Sequence, residues 1–329
     1  MAGGRKVALL GAGRMGQIHG PNAAHHPGLT LAAIVDPNRA LAAPLAAQTG
    51  AEVAELGAVL ADKSIEGIIV ASSTDMHLEH AVAALSAGKI VFCEKPVDLD
   101  LAKARAAAKT FAGAPFLLGF NRRFDPHFQA LKAKIDEGAI GKLETLSLIN
   151  HDPASPPADF VPRSGGLFKD FTIHDLDLAR WLLDEEPSQI FAMASCLVDP
   201  EIGRMGDVDT ARVMLKTPSG RLCVIANTRR SGMGYDQRVE AFGSNGMANV
   251  ANVRNDTVEA QNEAGGQSAP VPYNFLARYM QSYAAEVDHF AEMMAGRARP
   301  RVGYEDGIAA LVLAEAAGLS AKTNAPVDL

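Results

Sequence analysis

The stretch KVALLGAGRMG, residues 6–16, carries the reading from which the rest of the chain can be organised. An apolar run suited to a buried strand ends at once in Gly-x-Gly-x-x-Gly, and a helical stretch opens where the pattern closes. In that context each glycine has a physical task. Gly11 permits the tight turn, Gly13 lets a pyrophosphate approach the backbone, and Gly16 lets the helix pack close to the strand. Free N–H groups at the helix start attract the anion, so Gly11, Ala12, Gly13, Arg14, Met15 and Gly16 are all candidate cofactor contacts.

A carboxylate completes the pattern. Asp36 ends the next apolar run, in AAIVDPNRA, about 20 residues further on, where it can accept hydrogen bonds from the adenosine ribose. It favours NAD, because a 2′-phosphate would face its negative charge, although Arg39 offers a partial route to NADP. The alternative for Asp36 is a turn residue before Pro37. From here to about residue 120, KVALL, LTLAAIVD, GIIVAS, KIVFCE and PFLLGF alternate with helical stretches such as AVAALSAG and LAKARAAAKTF. That rhythm predicts a doubly wound parallel sheet covered by helices on both faces, a Rossmann domain over residues 1–120. Ser72 closes GIIVAS and Thr74 and His77 follow it; with Glu94, Lys95 and Arg122 they extend the candidate cofactor contacts.

After about residue 121 the pattern changes. A helix from Pro126 to Glu137 leads into ETLSLIN, a loop rich in Pro and Gly, and a second helix from about Thr172 to Leu183. SQIFAMASCLV, TARVMLK, RLCVIANTRR, QRVEAFGS and MANVANV are then separated by turns such as Pro218-Ser219-Gly220 and Asn245-Gly246. Residues 121–329 therefore read as an α+β domain with an open, largely antiparallel sheet. Two helices close it, about Phe275 to Ala295, ending at Gly296, and about Glu305 to Lys322.

Composition bounds the function. The 329 residues are 48% hydrophobic and 21% charged, which suits a globular chain of two domains. A net charge of -7 gives no electrostatic support to a nucleic-acid or anionic-membrane partner, so small molecules are the expected partners. Cys93, Cys196 and Cys223 are odd in number and lie in apolar surroundings, which fits buried thiols in a reducing compartment. With no long apolar run and no signal pattern, the expected location is the cytoplasm. No Cys/His cluster has ligand spacing, so no metal is expected.

Hydride transfer to NAD would need a base and a donor for the reacting oxygen. FCEKP, residues 92–96, places Glu94 and Lys95 at the carboxyl end of a buried strand, where open α/β sheets bind ligands. Lys95 there could stabilise a developing alkoxide, or be a solvated surface lysine. In SGGLFKDFTIHDLDLARWLL, residues 164–183, Asp170 and His174 share a face if the helix already includes Asp170. His174 suits proton acceptance near neutral pH; a helix-start acid and a half-buried histidine are the structural alternatives. In GFNRRFDPHF, residues 119–128, Asn121 and Arg122 could reach cofactor and substrate hydroxyls, or the arginine pair could carry interdomain salt bridges. Asp152 in NHDP and Tyr235 in GYDQR are further polar candidates.

GAGRMG, EKP, GFNRRFDPHF, GGLFKDFTIHDLDLARWLL and GYDQR together resemble the glucose-fructose oxidoreductase / inositol dehydrogenase / rhizopine catabolism (Gfo/Idh/MocA) family, most closely its bacterial inositol dehydrogenases. The resemblance covers essentially the whole chain. It implies NAD-dependent oxidation of a ring hydroxyl of myo-inositol, with His174 as proton acceptor and Lys95 and Asp170 orienting the reacting hydroxyl. Arg122, Asp152 and Tyr235 would lie near substrate. It also implies a homotetramer formed through the open sheet, and a final helix packed back on the Rossmann domain. Scyllo-inositol, another epimer or an aldohexose remain alternative substrates, and a non-catalytic NAD-binding sensor is the alternative of another class.

Overall fold

The computed structural model describes residues 4–157 and 160–329. Two compact units divide the chain, and each is made of two segments. The first runs to Phe124 and resumes at Gln281–Leu311; the second is Asp125–Met280 with Val312–Leu329. The boundary therefore falls a few residues after position 120, and the first unit is completed by a segment from near the end of the chain.

The first unit holds β1 (Arg5–Leu10), β2 (Leu29–Val35), β3 (Glu52–Val53), β4 (Ile65–Val70), β5 (Ile90–Glu94) and β6 (Phe116–Gly119). They form one parallel sheet in the order β3-β2-β1-β4-β5-β6, the Rossmann arrangement, whose order reverses between β1 and β4. Val7, Leu9, Ile34, Ile68, Phe92 and Leu117 are fully buried or nearly so, as continuous apolar strands covered on both faces must be. The helix Met280–Met294 lies close over β4: a Cβ at Gly67 would stand 2.7 Å from Met294 Sδ and 2.9 Å from the Phe290 ring.

The second unit holds β7 (Leu143–His151), β8 (Gln189–Ser195), β9 (Thr210–Lys216), β10 (Leu222–Thr228), β11 (Asp236–Gly243), β12 (Gly246–Val250), the small hairpin β13 (Glu259–Asn262) and β14 (Gly265–Ser268), and β15 (Val327–Asp328). The larger sheet has the order β12-β11-β7-β10-β9-β8-β15 and is antiparallel except for the β7–β10 pair. One face is open. Phe242, Leu222, Val224 and Met214 alternate with buried residues and remain more than a third exposed. The exposed, polar β13–β14 hairpin has no apolar alternation by which the sequence could announce it.

Two helices differ from expectation. The stretch from Phe275 breaks at Tyr279, giving Phe275–Arg278 and then Met280–Met294, because Tyr279 leaves helical geometry at φ -112°, ψ 17°. Asp170 lies in a π-turn, Phe168–Thr172, ahead of the α-helix Ile173–Leu183, so Asp170 and His174 are not successive positions of one α-helical face. The loop DPASPPADFVPRSGG includes residues 158–159, which lie outside the described residues.

Candidate active site

At the carboxyl edge of β1, Gly11 turns the chain at φ +98° and donates its N–H to Val35 O at 2.8 Å. A Cβ on Gly11 would stand 2.4 Å from Ala71 O, and one on Gly16 2.1 Å from Gly11 O, so both positions require glycine. Gly13 differs in kind. A Cβ there would meet nothing within 4 Å, so its missing side chain leaves open space at the turn rather than relieving a protein contact. The helix Gly16–His25 begins with no side-chain cap and no acid in its first turn; the N–H groups of Gln17, Ile18 and His19 already donate to Gly13 O and Met15 O, so the helix dipole and the turn ahead of Gly16 are what remain to attract an anion. Arg14 is exposed and Met15 half-buried at this turn. These features fit the pyrophosphate of a dinucleotide.

Asp36 sits directly behind the turn. Its Oδ2 accepts from Ala12 N and its Oδ1 from Asn38 N, both at 2.7 Å, which fixes the carboxylate while leaving further acceptor positions for ribose hydroxyls. Arg39 is exposed and turned to Glu55 at 3.3 Å. Ser72 Oγ lies 3.0 Å from His80 Nδ1, a partner absent from the sequence reading, and Thr74 opens the short turn Thr74–Met76. His77 is buried, with Nδ1 2.8 Å from Pro96 O and Nε2 3.1 Å from Ser72 O, so it joins the loops that follow β4 and β5. Burial lowers its pKa against the opposing pull of the carbonyls. Glu94 is buried at the end of β5, Lys95 is half-buried beside it, and Asn121 and Arg122 are buried in the turn Asn121–Phe124. Arg123 pairs with Asp306 at 2.9 Å inside the same unit.

In the second unit the organising residue is one the sequence reading missed. Arg229, buried at the end of β10, donates to Asp152 Oδ2 and to Asp170 Oδ2, each at 2.9 Å, and lies over the Phe171 ring. Burial opposes its charge, but the Asp170 and Asp152 carboxylates outweigh burial and raise its pKa. The two acids singled out separately in the sequence thus share one clamp. The second Arg of ANTRR, Arg230, sits beside it, and two arginines closing an alternating strand were the available signal.

Behind His174 runs a buried polar network. Asp175 Oδ2 accepts from Asn150 Nδ2 at 2.8 Å and Asn227 Nδ2 at 2.9 Å, while Thr172 Oγ1 donates to Asn227 Oδ1 at 2.7 Å. Gln237 bonds Asn150 and accepts from Tyr279 OH at 3.0 Å. The network pins the helix start to β7, β10 and β11 and so sets where His174 stands. Tyr235 is buried with its ring edge-on to Tyr279, and its neighbour Asp236 is held by His151, Arg238 and Asn252. Burial would raise the Asp236 pKa, but those hydrogen bonds prevail and hold it well below the usual carboxylate range.

Residues 5–120 match the NAD-binding Rossmann fold of an oxidoreductase family, and residues 128–249 match the GFO/IDH/MocA C-terminal domain. The chain belongs to the Gfo/Idh/MocA family. Membership makes it an NAD-dependent dehydrogenase acting on a CH–OH group. Among Gfo/Idh/MocA relatives, the chain is 41% identical to a myo-inositol 2-dehydrogenase of Thermotoga maritima, over 98% of both chains. It is 40% identical to an inositol 2-dehydrogenase of Rhizobium meliloti, over 95% of both. A scyllo-inositol dehydrogenase of Lactobacillus casei, solved with NAD(H) and scyllo-inositol, superposes with a TM-score of 0.91 at 28% identity, over 99% of both chains. Among the described residues no helix is long and apolar enough to cross a membrane.

Proposed function

We propose that the protein oxidises one ring hydroxyl of myo-inositol to the ketone with NAD as hydride acceptor. The observation that carries the reading is the Arg229 clamp, which presents Asp152 and Asp170 as partly buried hydrogen-bond acceptors for a molecule made of hydroxyls. The names of the full-length relatives support inositol as the substrate class. NAD, when bound, takes the hydride from the carbinol carbon. Lys95 donates to the reacting oxygen and stabilises its developing charge, His174 accepts the hydroxyl proton, and Asp170, held by Arg229, orients the hydroxyl. Asn121, Arg122 and Tyr235 stay in the proposed substrate set as buried polar side chains. An epimer that leaves a buried polar group unpaired would lose about 1–3 kcal/mol per group. Scyllo-inositol is a second substrate reading, favoured by the likeness to the Lactobacillus casei enzyme.

The test is NADH formation with NAD and a panel of myo-inositol, scyllo-inositol, D-chiro-inositol and glucose stereoisomers. Fastest turnover on myo-inositol is expected. Preference for a hexose would move the protein to sugar oxidation, and tight NAD binding without turnover on any of the panel would make it a sensor.

The open face of the second unit's sheet supports self-association, as the tetramer expectation requires. Val224 is flanked across the strands by Met214, which in turn neighbours Phe191. Arg238 and Glu240 project on the same face of β11, so two copies related by a two-fold axis could cover the apolar rows and pair the charges.

A further inference from the structure

Beneath the end of β5 lies a buried cluster that the proposed chemistry does not use. His19 in the first helix, Glu94 at the end of β5 and Glu286 in the middle of Met280–Met294 bring one donor or acceptor atom each to within 4.8 Å of one another. All three belong to the first unit. His19 Nε2 is 2.6 Å from Glu94 Oε1, and the Lys95 N–H donates to Glu94 Oε2 at 3.3 Å. Phe92 and Tyr283 stand edge-on to the imidazole at 4.9 and 5.8 Å and fix its plane. Glu286 is 0% exposed, and among the described residues neither of its carboxyl oxygens has a hydrogen-bond partner. His19 Nδ1 is likewise buried and unpartnered.

Two carboxylates this close in an apolar interior cannot both hold a charge without strong compensation. The geometry points to Glu286 as a positioning residue that acts on the Glu94 carboxylate, together with His19, and through it on the Lys95 backbone. Burial and the neighbouring Glu94 push the Glu286 carboxyl well above the usual carboxylate range, which favours its neutral form. The Glu94 carboxyl is held by His19 and the Lys95 N–H, whereas Glu286 has neither partner. The neutral Glu286 acid supplies a donor to the same pocket, within 4.8 Å of the Glu94 and His19 atoms. The cluster ties the helix that opens at the dinucleotide turn to the strand end that presents Lys95, using a helix from the chain's far end. The role rests on the assignment of Lys95 proposed above.

The test combines infrared spectroscopy and kinetics on the full-length enzyme. Wild type should show the carbonyl stretch of a buried protonated carboxyl at neutral pH, and Glu286→Gln should lose that band. Glu286→Met, which keeps volume but removes the donor, should lower kcat about tenfold while the NAD dissociation constant stays within about threefold. Glu286→Gln, which keeps a donor, should rescue kcat to within about threefold of wild type. If Glu286→Met does not fold, Glu286→Gln decides: near-normal kcat with the band abolished supports the role, and a tenfold lower kcat overturns it. An absent band in wild type, unchanged kcat in Glu286→Met, or a stoichiometric divalent cation in the purified protein would each overturn it as well. Turnover retained by Lys95→Ala would sink the functional reading itself, a failure told apart because the infrared band does not depend on turnover.

Discussion

At the scale of single residues, the proposed roles of Lys95 and His174 predict that Lys95→Ala and His174→Ala lose about 100-fold or more in kcat while NAD still binds. Steady-state rates paired with cofactor titration check this, and near-normal turnover in either variant refutes its role. Asp36→Ala should weaken NAD and narrow its advantage over NADP, because the carboxylate held by Ala12 N and Asn38 N is the proposed acceptor for the ribose hydroxyls. Arg229→Met should do broader damage, since it leaves Asp152 and Asp170 as neighbouring acids without their shared cation. A fall in kcat/KM of about tenfold or more, with a shifted pH profile, is expected. The sequence could nominate Asp36, Lys95, Asp170 and His174 because each sits in a short motif with a strand end or helix start beside it. It could not nominate Arg229 as the organiser of Asp152 and Asp170, which lie 77 and 59 positions away in sequence and reach it only through the tertiary fold, Asp152 by way of the β10–β7 pairing.

Elements impose a second set of constraints. The loop between β8 and β9 is folded around Asp209, whose carboxylate accepts the backbone N–H groups of Leu197, Val198 and Asp199 at 2.8–2.9 Å and the Thr210 hydroxyl. Burial would raise the Asp209 pKa, but those donors prevail and lower it. A carboxyl whose folded pKa lies below its unfolded value, about 3.9, contributes stability that is complete above that value. The contribution fades as pH falls through the folded pKa. Denaturant unfolding across pH should therefore show wild type losing stability below about pH 4 and Asp209→Asn, already destabilised by about 2–3 kcal/mol, losing less there. In the first unit, Gly67→Ala should cost about 1–3 kcal/mol, because the added methyl displaces Met294 and Phe290 on the helix above β4. On the open sheet, Val224→Lys should lower the mass measured by light scattering toward one chain if that face joins copies.

Across the whole molecule, the first unit is discontinuous. Its β4 is covered by Phe290 and Met294, and the β6 strand receives Leu118 N→Val302 O at 3.0 Å and the close approach of Gly307. Tyr304 adds a hydroxyl bond to Ala104 O at 2.6 Å and stacks on Phe111 with ring centroids 3.8 Å apart. A fragment of residues 1–124 therefore lacks one cover of its sheet and should melt without a cooperative transition, as followed by circular dichroism. Cooperative melting of that fragment would show that Gln281–Leu311 is an accessory rather than part of the core.

The sequence alone determined the parallel sheet, its dinucleotide turn and the antiparallel character of the second sheet, because hydrophobic period, glycine spacing and turn chemistry are local properties. It also marked the acids, lysine and histidine of the candidate site, which lie in compact motifs. Only the tertiary structure decided which of them are joined: Arg229 between Asp152 and Asp170, Asn150 and Asn227 on Asp175, and His19 and Glu286 about Glu94. No local pattern announced the return of Gln281–Leu311 to the first unit; the family resemblance implied it for the final helix, whereas the segment holds most of Met280–Met294 and only the start of the final helix Tyr304–Thr323. Such pairings depend on long-range strand register and on where a buried polar group finds its partner, and neither leaves a periodic trace in the chain.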